Sequence, residues 1–234
     1  MRVAFYMLVV LAACSGDTAL PIQAECNPLG VNHCMTPWPS SAFEVEDATT
    51  PTGRHLALPE GTLPTNVGNI SIDPAGWNVA DGFSPAAPIV MSFDGSVSAN
   101  GLPPRDHMDL SLAQTSPTVI LDMTTGLRVA HFAEIDPSDG TLDSQAIVLR
   151  PARRLIGGHR YAVAITNLVK DRDGEDLAVP PGFAALRDGH DTDHALLEDM
   201  RPRFQEVLDA LEVDGCPDSE LVVAWDFTVA SDRR

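Results

Sequence analysis

The feature that most constrains this fold is a series of short apolar runs from residue 88 onward, and two of these runs, 160–166 and 221–228, alternate from one face to the other. In the last run, Leu221, Val223, Trp225 and Phe227 would share one face of an extended strand. An alternation of period two is typical of a half-buried strand, with one face in the core and the other facing outward. Several such runs, separated by turn-forming residues, favour a β-sandwich. The sequence therefore predicts a mainly β fold.

The predicted strands are spread over most of the C-terminal two-thirds of the chain and include one hairpin. The runs at 118–122 and 127–132 flank a short turn at 123–126, which is the arrangement of a two-stranded hairpin. The remaining strands are expected at 88–93, 145–150, 160–166 and 221–228.

One segment before the last predicted strand has a helical pattern instead. Across 192–212, apolar residues recur every three or four positions. Thr192 or Asp193 can cap the start of this helix, and Gly215 lies just past its end. Because Pro202 lies inside the segment, we expect a kink or two consecutive short helices. The sequence thus predicts a helical insertion near residues 192–212.

The N-terminal third of the chain differs from the rest, because Pro, Gly, Thr and Asn interrupt it throughout. Such interruptions exclude long helices, and only short extended pieces are expected, at 54–58 and 68–72. Aromatic residues are nevertheless too frequent for a disordered tail. We therefore expect an irregular but ordered wrap over residues 26–87, followed by a β domain over 88–234.

The start of the chain resembles a bacterial lipoprotein signal. Arg2 precedes an apolar stretch, 3–10, that is too short to span a bilayer as a stable helix. The next residues, Leu11-Ala12-Ala13-Cys14, resemble the lipobox, in which the cysteine is lipidated and becomes the new N-terminus. The resemblance implies a signal peptide over 1–13 and a lipid on Cys14.

The residues after the lipobox extend this prediction to a location. The residue directly after the cysteine is Ser15 and not an aspartate. In well-studied Gram-negative bacteria, this pattern implies sorting of the lipoprotein to the outer membrane. The polar residues that come next are typical of a flexible tether, which we place at 14–25. The expected location is the bacterial cell envelope, as an outer-membrane lipoprotein that faces the periplasm or the surface. The expected partner is the membrane, reached through the lipid on Cys14.

The charge of the chain restricts its other partners. The sequence has 33 acidic and 15 basic residues, for a formal net charge of −18. A protein that binds nucleic acid needs clustered positive charge, so no nucleic-acid partner is expected. The acidic residues are spread along the chain, as is typical of a solvated surface.

Lipidation of Cys14 would leave three cysteines for pairing. In an oxidising compartment a disulfide is expected. Cys26 and Cys34 lie in one loop rich in Pro, Gly and Asn, and closing so short a loop costs little chain entropy. We therefore expect the pair Cys26–Cys34. In the alternative, Cys216 pairs with one of these two residues and links the two ends of the domain.

Two acidic segments contain residue types that bind metals. In the first, Asp171, Asp173 and Asp176 are candidate calcium ligands, although their spacing is not that of an EF-hand loop. A tight turn with a glycine at positive φ is the favoured interpretation. In the second, 190–194, two histidines flank acidic residues that would also complement a helix dipole. We expect a turn and a helix start at these places, and no cofactor.

The sequence also bears on serine-hydrolase chemistry, which requires a nucleophile on a sharp Gly-x-Ser-x-Gly turn. The nearest segment is Gly82-Phe83-Ser84-Pro85-Ala86, in which a proline follows the serine directly. Proline lacks the backbone N–H that an oxyanion hole would use. We therefore expect this chain to be non-catalytic, and a small esterase is the weakest alternative.

The segment 149–177 resembles bacterial Ig-like domains of the S-layer type. Their pattern combines a proline, a leucine and a Gly-x-x-Tyr group with an alternating strand and a Lys-Asp-x-x-Gly-x-x-Leu turn. This chain matches the pattern at Pro151, Leu155, Gly158, Tyr161 and 170–177. The resemblance implies an Ig-like β-sandwich with a β-turn at 171–176.

A wider resemblance covers nearly all of the expected mature chain. Five segments are similar to the N-terminal region of large bacterial lipoproteins of the virulence-factor-lipase-like or α/β-hydrolase-like kind: 26–30, 34–40, 81–85, 183–189 and 224–228. In those proteins a separate catalytic domain follows. The resemblance implies a non-catalytic leader, with any hydrolase domain after Arg234. The alternative is a freestanding binding module for polysaccharide, peptide or calcium, in which Trp38 and Trp77 would be exposed as a platform.

Overall fold

A computed structural model of the protein describes residues 19–136 and 144–232. Within these ranges the chain forms nine strands in three antiparallel sheets, with two α-helices. This architecture is mostly β and is consistent with the predicted β-sandwich. The expected signal peptide, Cys14 and the first part of the tether lie outside the described residues.

The elements follow one another in an order close to that predicted. The strands are β1 (Glu44–Glu46), β2 (Arg54–Leu56), β3 (Ile89–Asp94), β4 (Thr118–Asp122), β5 (Leu127–Arg128), β6 (His131–Ile135), β7 (Ser144–Pro151), β8 (Arg160–Thr166) and β9 (Leu221–Thr228), and the helices are α1 (Pro181–Arg187) and α2 (Ala195–Asp214). β1 and β2 form a hairpin, a three-stranded sheet has the order β3-β7-β6, and a four-stranded sheet has the order β5-β4-β8-β9.

The four-stranded sheet is buried on both faces. Every residue of β9 is buried, and β8 is buried from Tyr161 onward. The prediction of half-buried strands is wrong here, because α2 packs against β8 and β9. Arg203 of α2 reaches Asp226, which belongs to the face that the alternation assigned to solvent.

One continuous core joins this sheet to the three-stranded sheet and to the wrap. On β3, Ile89, Met91 and Phe93 are buried on one face, in agreement with period-two alternation. The wrap contributes Trp38 and Phe83, whose rings meet edge to face with centroids 4.9 Å apart. The wrap therefore forms one wall of the core.

Helix α2 is one continuous element of 20 residues, so the predicted division into two short helices is wrong. Pro202 lies on its exposed side. Because proline has no N–H, the carbonyl of Glu198, four residues earlier, has no helical partner there. The N-cap is His194, and neither Thr192 nor Asp193 occupies that position. The earlier helix α1 was not predicted.

The predicted hairpin is present but its second strand is divided. β4 pairs with β5 across a turn in which the N–H groups of Thr125 and Gly126 donate to the carbonyl of Asp122. The chain then leaves this sheet, and β6 pairs with β7 in the other sheet. In the wrap, the expected piece at 54–58 corresponds to β2, whereas 68–72 forms no strand. Neither helix of the described chain is sufficiently long and apolar to cross a lipid bilayer.

Candidate functional site

The predicted disulfide between Cys26 and Cys34 is confirmed. The alternative pairing through Cys216 is wrong, because this residue is a free, buried thiol. Burial raises the pKa of the Cys216 thiol, against the opposing charge of Arg128. Its side chain is therefore a poor nucleophile at neutral pH.

The three candidate calcium ligands lie in a tight turn, and the turn accounts for their arrangement. The side chain of Asp171 accepts hydrogen bonds from the N–H groups of Asp173 and Glu175, at 2.9 and 2.8 Å. Gly174 has φ +87°, which glycine adopts without strain. Asp176 forms an ion pair with Lys170. Across residues 19–136 and 144–232, no three His, Cys, Asp or Glu side chains converge in a way that would hold a metal ion.

The other sequence candidates are also separated from one another. His194 is buried at the start of α2, with Nε2 3.4 Å from the carbonyl oxygen of Gln23, whereas His190 is exposed. Ser84 lies in an exposed turn, where its hydroxyl accepts a hydrogen bond from the N–H of Ala86 at 3.3 Å. These residues do not form a common site.

The structure instead brings together a group of charged side chains that the sequence analysis did not find. We name this group the charge cluster: Glu44, Arg160, Arg203 and Asp226. Asp226 lies at its centre and is 1% exposed. Its Oδ2 atom lies 2.6 Å from Nε of Arg160 and 2.8 Å from Nε of Arg203. Its Oδ1 atom accepts a hydrogen bond from Ser41 at 2.6 Å.

Glu44 is the second buried carboxylate of the charge cluster, and its side chain is fully buried. One oxygen accepts a hydrogen bond from the N–H of Thr228 at 2.5 Å. The other accepts from the Thr228 hydroxyl at 2.9 Å and from Nη2 of Arg203 at 3.0 Å. Two carboxylates and two guanidinium groups therefore balance in charge, as buried ionic groups require.

The two carboxylates have opposite pKa shifts. Burial raises the pKa of Glu44, and the nearby charge of Arg203 does not cancel this effect. Burial also acts to raise the pKa of Asp226, but the charges of Arg203 and Arg160 outweigh it and the pKa of Asp226 is lowered. The negative charge of Asp226 contributes to the raised pKa of Glu44, whereas the positive charge of Arg203 favours the ionised form of both carboxylates.

The charge cluster joins parts of the chain that are far apart in sequence. Glu44 belongs to the wrap, Arg203 to α2, and Asp226 to β9. Both carboxylates are buried, and all four of their oxygens accept hydrogen bonds from within the protein. The arrangement is chemically suited to fix the wrap against the sheet and the helix.

A groove of about 640 Å³ lies over the charge cluster, between the β1–β2 hairpin and the first half of α2. Its volume is in the range of ligand-binding clefts. Arg54 reaches it from the hairpin, and Leu196, Met200 and Pro202 line it from the helix. The groove is the one part of this site that a ligand can reach.

The sequence carried one signal for the charge cluster, namely Asp226 inside an otherwise apolar strand. A polar residue on an outward face is unremarkable for a half-buried strand, and that interpretation hid the signal. Glu44, Arg160 and Arg203 are ordinary charged residues in the sequence, and only the folded chain brings them to Asp226.

No protein-family model, no curated protein and no solved structure matches this chain.

Proposed function

We propose that this chain is a lipid-anchored, extracytoplasmic and non-catalytic scaffold, the N-terminal leader of a hydrolase-like lipoprotein, built as an Ig-like β-sandwich with a helical insertion. The observation that carries the proposal is the exposure of four apolar residues in one short segment of the wrap, which we call the apolar strip: Val67, Ile70, Trp77 and Val79. Exposed apolar surface of this kind is typical of a protein–protein contact.

The position of the C-terminal end supports this use of the apolar strip. The N–H of Ser231 donates to Oδ1 of Asp81 at 3.1 Å, and Asp81 comes two residues after Val79. A domain that followed Arg234 would therefore start beside the strip and would be able to cover it. Trp77, which is 48% exposed, would supply the largest contact area.

Two further observations support the extracytoplasmic and structural parts of the proposal. The Cys26–Cys34 disulfide suits an oxidising compartment. The charge cluster holds the wrap against the sheet and the helix, as a rigid scaffold requires.

The anchor is tested by expressing the chain in a Gram-negative host with radiolabelled palmitate. We expect label on the wild type and its recovery in the outer-membrane fraction. Cys14→Ser should lose the label and become soluble, whereas Ser15→Ala, which keeps the cysteine, should retain the label. Identical labelling of wild type and Cys14→Ser would contradict the anchor.

The leader role is tested first on the coding sequence beyond Arg234. A continuing frame with a Gly-x-Ser-x-Gly motif is expected, and its absence would contradict the leader role. In that longer protein, Trp77→Ser combined with Val79→Ser should increase cleavage between the domains in limited proteolysis. Val213→Ser, which changes an exposed apolar residue on α2, is the control and should leave cleavage unchanged.

A freestanding binding module is the second candidate, and the groove over the charge cluster is the observation that favours it. The platform of two tryptophans expected for such a module is not formed. Trp38 is half-buried against Phe83 and only Trp77 is exposed. A binding module would therefore have to use the groove.

A further inference from the structure

An exposed reverse turn follows β3, and it carries an asparagine directly before a glycine. The N–H of Leu102 donates to the carbonyl of Ala99 at 3.2 Å, which closes the turn. Gly101 has φ +81°, as the third residue of a type II turn requires. Asn100 and Gly101 are exposed, whereas Val97 and Leu102 anchor the two sides of the turn in the core. The turn therefore holds the Asn100–Gly101 peptide in contact with water.

Neither reactive group of this peptide is occupied within the protein. The backbone N–H of Asn100 donates to the hydroxyl of Ser98 at 3.2 Å, but its side-chain amide has no hydrogen-bond partner among residues 19–136 and 144–232. The N–H of Gly101 likewise donates to no group in these two ranges. Because glycine has no Cβ, its nitrogen can approach the side chain of the preceding residue closely.

The other asparagines of the chain lack this combination. Four of them have side-chain amides that are held by hydrogen bonds, at positions 27, 32, 66 and 78. At Asn69 and Asn167 it is the nitrogen of the following residue that is occupied. The N–H of Ile70 donates to the Asn66 side chain at 3.0 Å, and that of Leu168 donates to a threonine hydroxyl at 3.4 Å. Within the described ranges, only Asn100 combines a free amide with a free neighbouring N–H.

We propose that Asn100 is a site of spontaneous deamidation through Gly101. The Gly101 nitrogen loses its proton to water or hydroxide and attacks Cγ of Asn100. A C–N bond forms, the bond from Cγ to Nδ2 breaks, and Nδ2 takes up a proton from water and leaves as ammonia. The product is a cyclic succinimide. Water then adds to either carbonyl of the ring and opens it, to aspartate or to isoaspartate.

Both products place a new carboxylate on the turn and make an acidic chain more acidic. In isoaspartate the main chain runs through the former side chain and gains an atom, so the turn between Val97 and Leu102 changes shape. This inference does not depend on the lipid anchor or on a following domain, so its test and that of the scaffold function fail separately.

The test is an incubation of the purified protein at mildly alkaline pH, with samples digested and sequenced by mass spectrometry over time. Asn69 is the internal control, because it is exposed but the nitrogen of Ile70 is occupied. We expect amide loss at Asn100 to be faster by about tenfold or more, which corresponds to about 1.4 kcal/mol of activation free energy. The rate should rise with pH, since the attacking nitrogen must lose its proton. Isoaspartate, detected with an isoaspartyl methyltransferase, should accompany aspartate.

Gly101→Ala is the matched variant, because a Cβ there meets no atom beyond its chain neighbours within 4 Å but shields the nitrogen. It should slow amide loss at Asn100 and leave Asn69 unchanged. Equal rates at Asn100 in the wild type and in Gly101→Ala would overturn the proposal. If the variant does not fold, the wild type decides without it: equal rates at Asn100 and Asn69 would overturn the proposal. Aspartate without isoaspartate would also overturn it, because direct hydrolysis of the amide gives aspartate alone.

Discussion

The wrap and the four-stranded sheet are held in place by different kinds of contact. The sheet is stabilised by apolar side chains on both faces of β8 and β9, covered on one side by α2. The wrap has few regular hydrogen-bonded strands, and individual polar contacts add to its apolar contacts with the core. Buried Asn27 is one example, since its side chain donates to the Pro37 carbonyl and accepts from the Leu29 N–H.

The largest effect is expected at Arg203, the residue that joins the wrap to the sheet. Arg203→Met would leave Glu44 and Asp226 buried without their common counter-charge. Breaking a buried ion pair in this way typically destabilises a protein by about 3–5 kcal/mol. Urea unfolding at neutral pH measures the loss of stability.

A double variant shows whether the charge is the cause. Asp226 keeps Arg160 in the Arg203→Met variant, so Glu44 is the carboxylate left without a cationic partner. Adding Glu44→Gln removes that charge and should recover part of the lost stability. Arg150→Gln, in an exposed pair, should change stability by less than about 1 kcal/mol. If Arg203→Met cost no more than Arg150→Gln, the charge cluster would not be what fixes the wrap.

The next largest effect on stability is expected between the two larger sheets, and it depends on pH. His131 is fully buried, and its Nδ1 and Nε2 atoms lie 2.9 Å from the Val129 carbonyl and the Thr118 hydroxyl. The carbonyl can only accept, so Nδ1 carries the proton of the neutral ring and Nε2 accepts from Thr118. Burial lowers the pKa of His131 to about 4. The folded protein therefore holds the neutral form, while the unfolded chain takes up a proton near pH 6.5.

The direction of the pH effect follows from this difference in pKa. The contribution of neutral His131 to the free energy of unfolding is fully present above pH 6.5. It is lost as the pH falls from 6.5 to about 4, by up to about 3 kcal/mol. Stability curves of wild type and His131→Gln, measured by urea unfolding from pH 7 to pH 4, should converge as the pH falls. Titration of the carboxylates is common to both proteins and cancels in the comparison. Parallel curves would show that His131 has the same pKa in the folded and unfolded states and would contradict the prediction.

The disulfide gives a smaller effect that is confined to the wrap. Cys26 and Cys34 close a short loop, with a sequence separation of 8. By restricting the unfolded chain, such a cross-link stabilises the folded state by about 2–3 kcal/mol. Replacing both residues by serine should lower stability by this amount, and reductant should lower wild-type stability equally. A variant that reductant still destabilised would point to another cross-link.

The difference between the two regions explains which parts of the fold could be predicted from the sequence. The runs that became β8 and β9 have local alternation, and this signal does not depend on distant residues. It could not show that both faces of β9 are buried, because α2 supplies the cover.

The site could be predicted only in part, for the same physical reason. The Cys26–Cys34 pair and the acidic turn around Gly174 depend on neighbours in sequence and were predicted. The charge cluster depends on residues 44, 160, 203 and 226, and no short segment contains its pattern. Pro202 left a division of the helix open in the sequence, because its exposed position is a property of the fold.

The smallest effect is expected at Glu198, the exposed counterpart of Glu44. Its carboxylate accepts hydrogen bonds from Arg201 at 2.8 Å and from the N–H and hydroxyl of Thr192 at 2.9 and 2.7 Å. The contact with Arg201 is the largest cause that lowers the pKa of Glu198, to about 2. The stability that ionised Glu198 contributes is therefore present above pH 4.5 and is lost as the pH falls towards 2.

Glu198→Gln should nevertheless cost less than about 1 kcal/mol at pH 7, because the pair is partly exposed and water screens it. Glu212→Gln, in the last turn of the same helix, is the control and should be neutral or slightly stabilising, since an acidic residue opposes the helix dipole there. A loss at Glu198 as large as that of Arg203→Met would mean that hydrogen-bond number, and not burial, decides how strongly a carboxylate holds this chain together. A small loss would assign the strength of the charge cluster to the burial of Glu44 and Asp226.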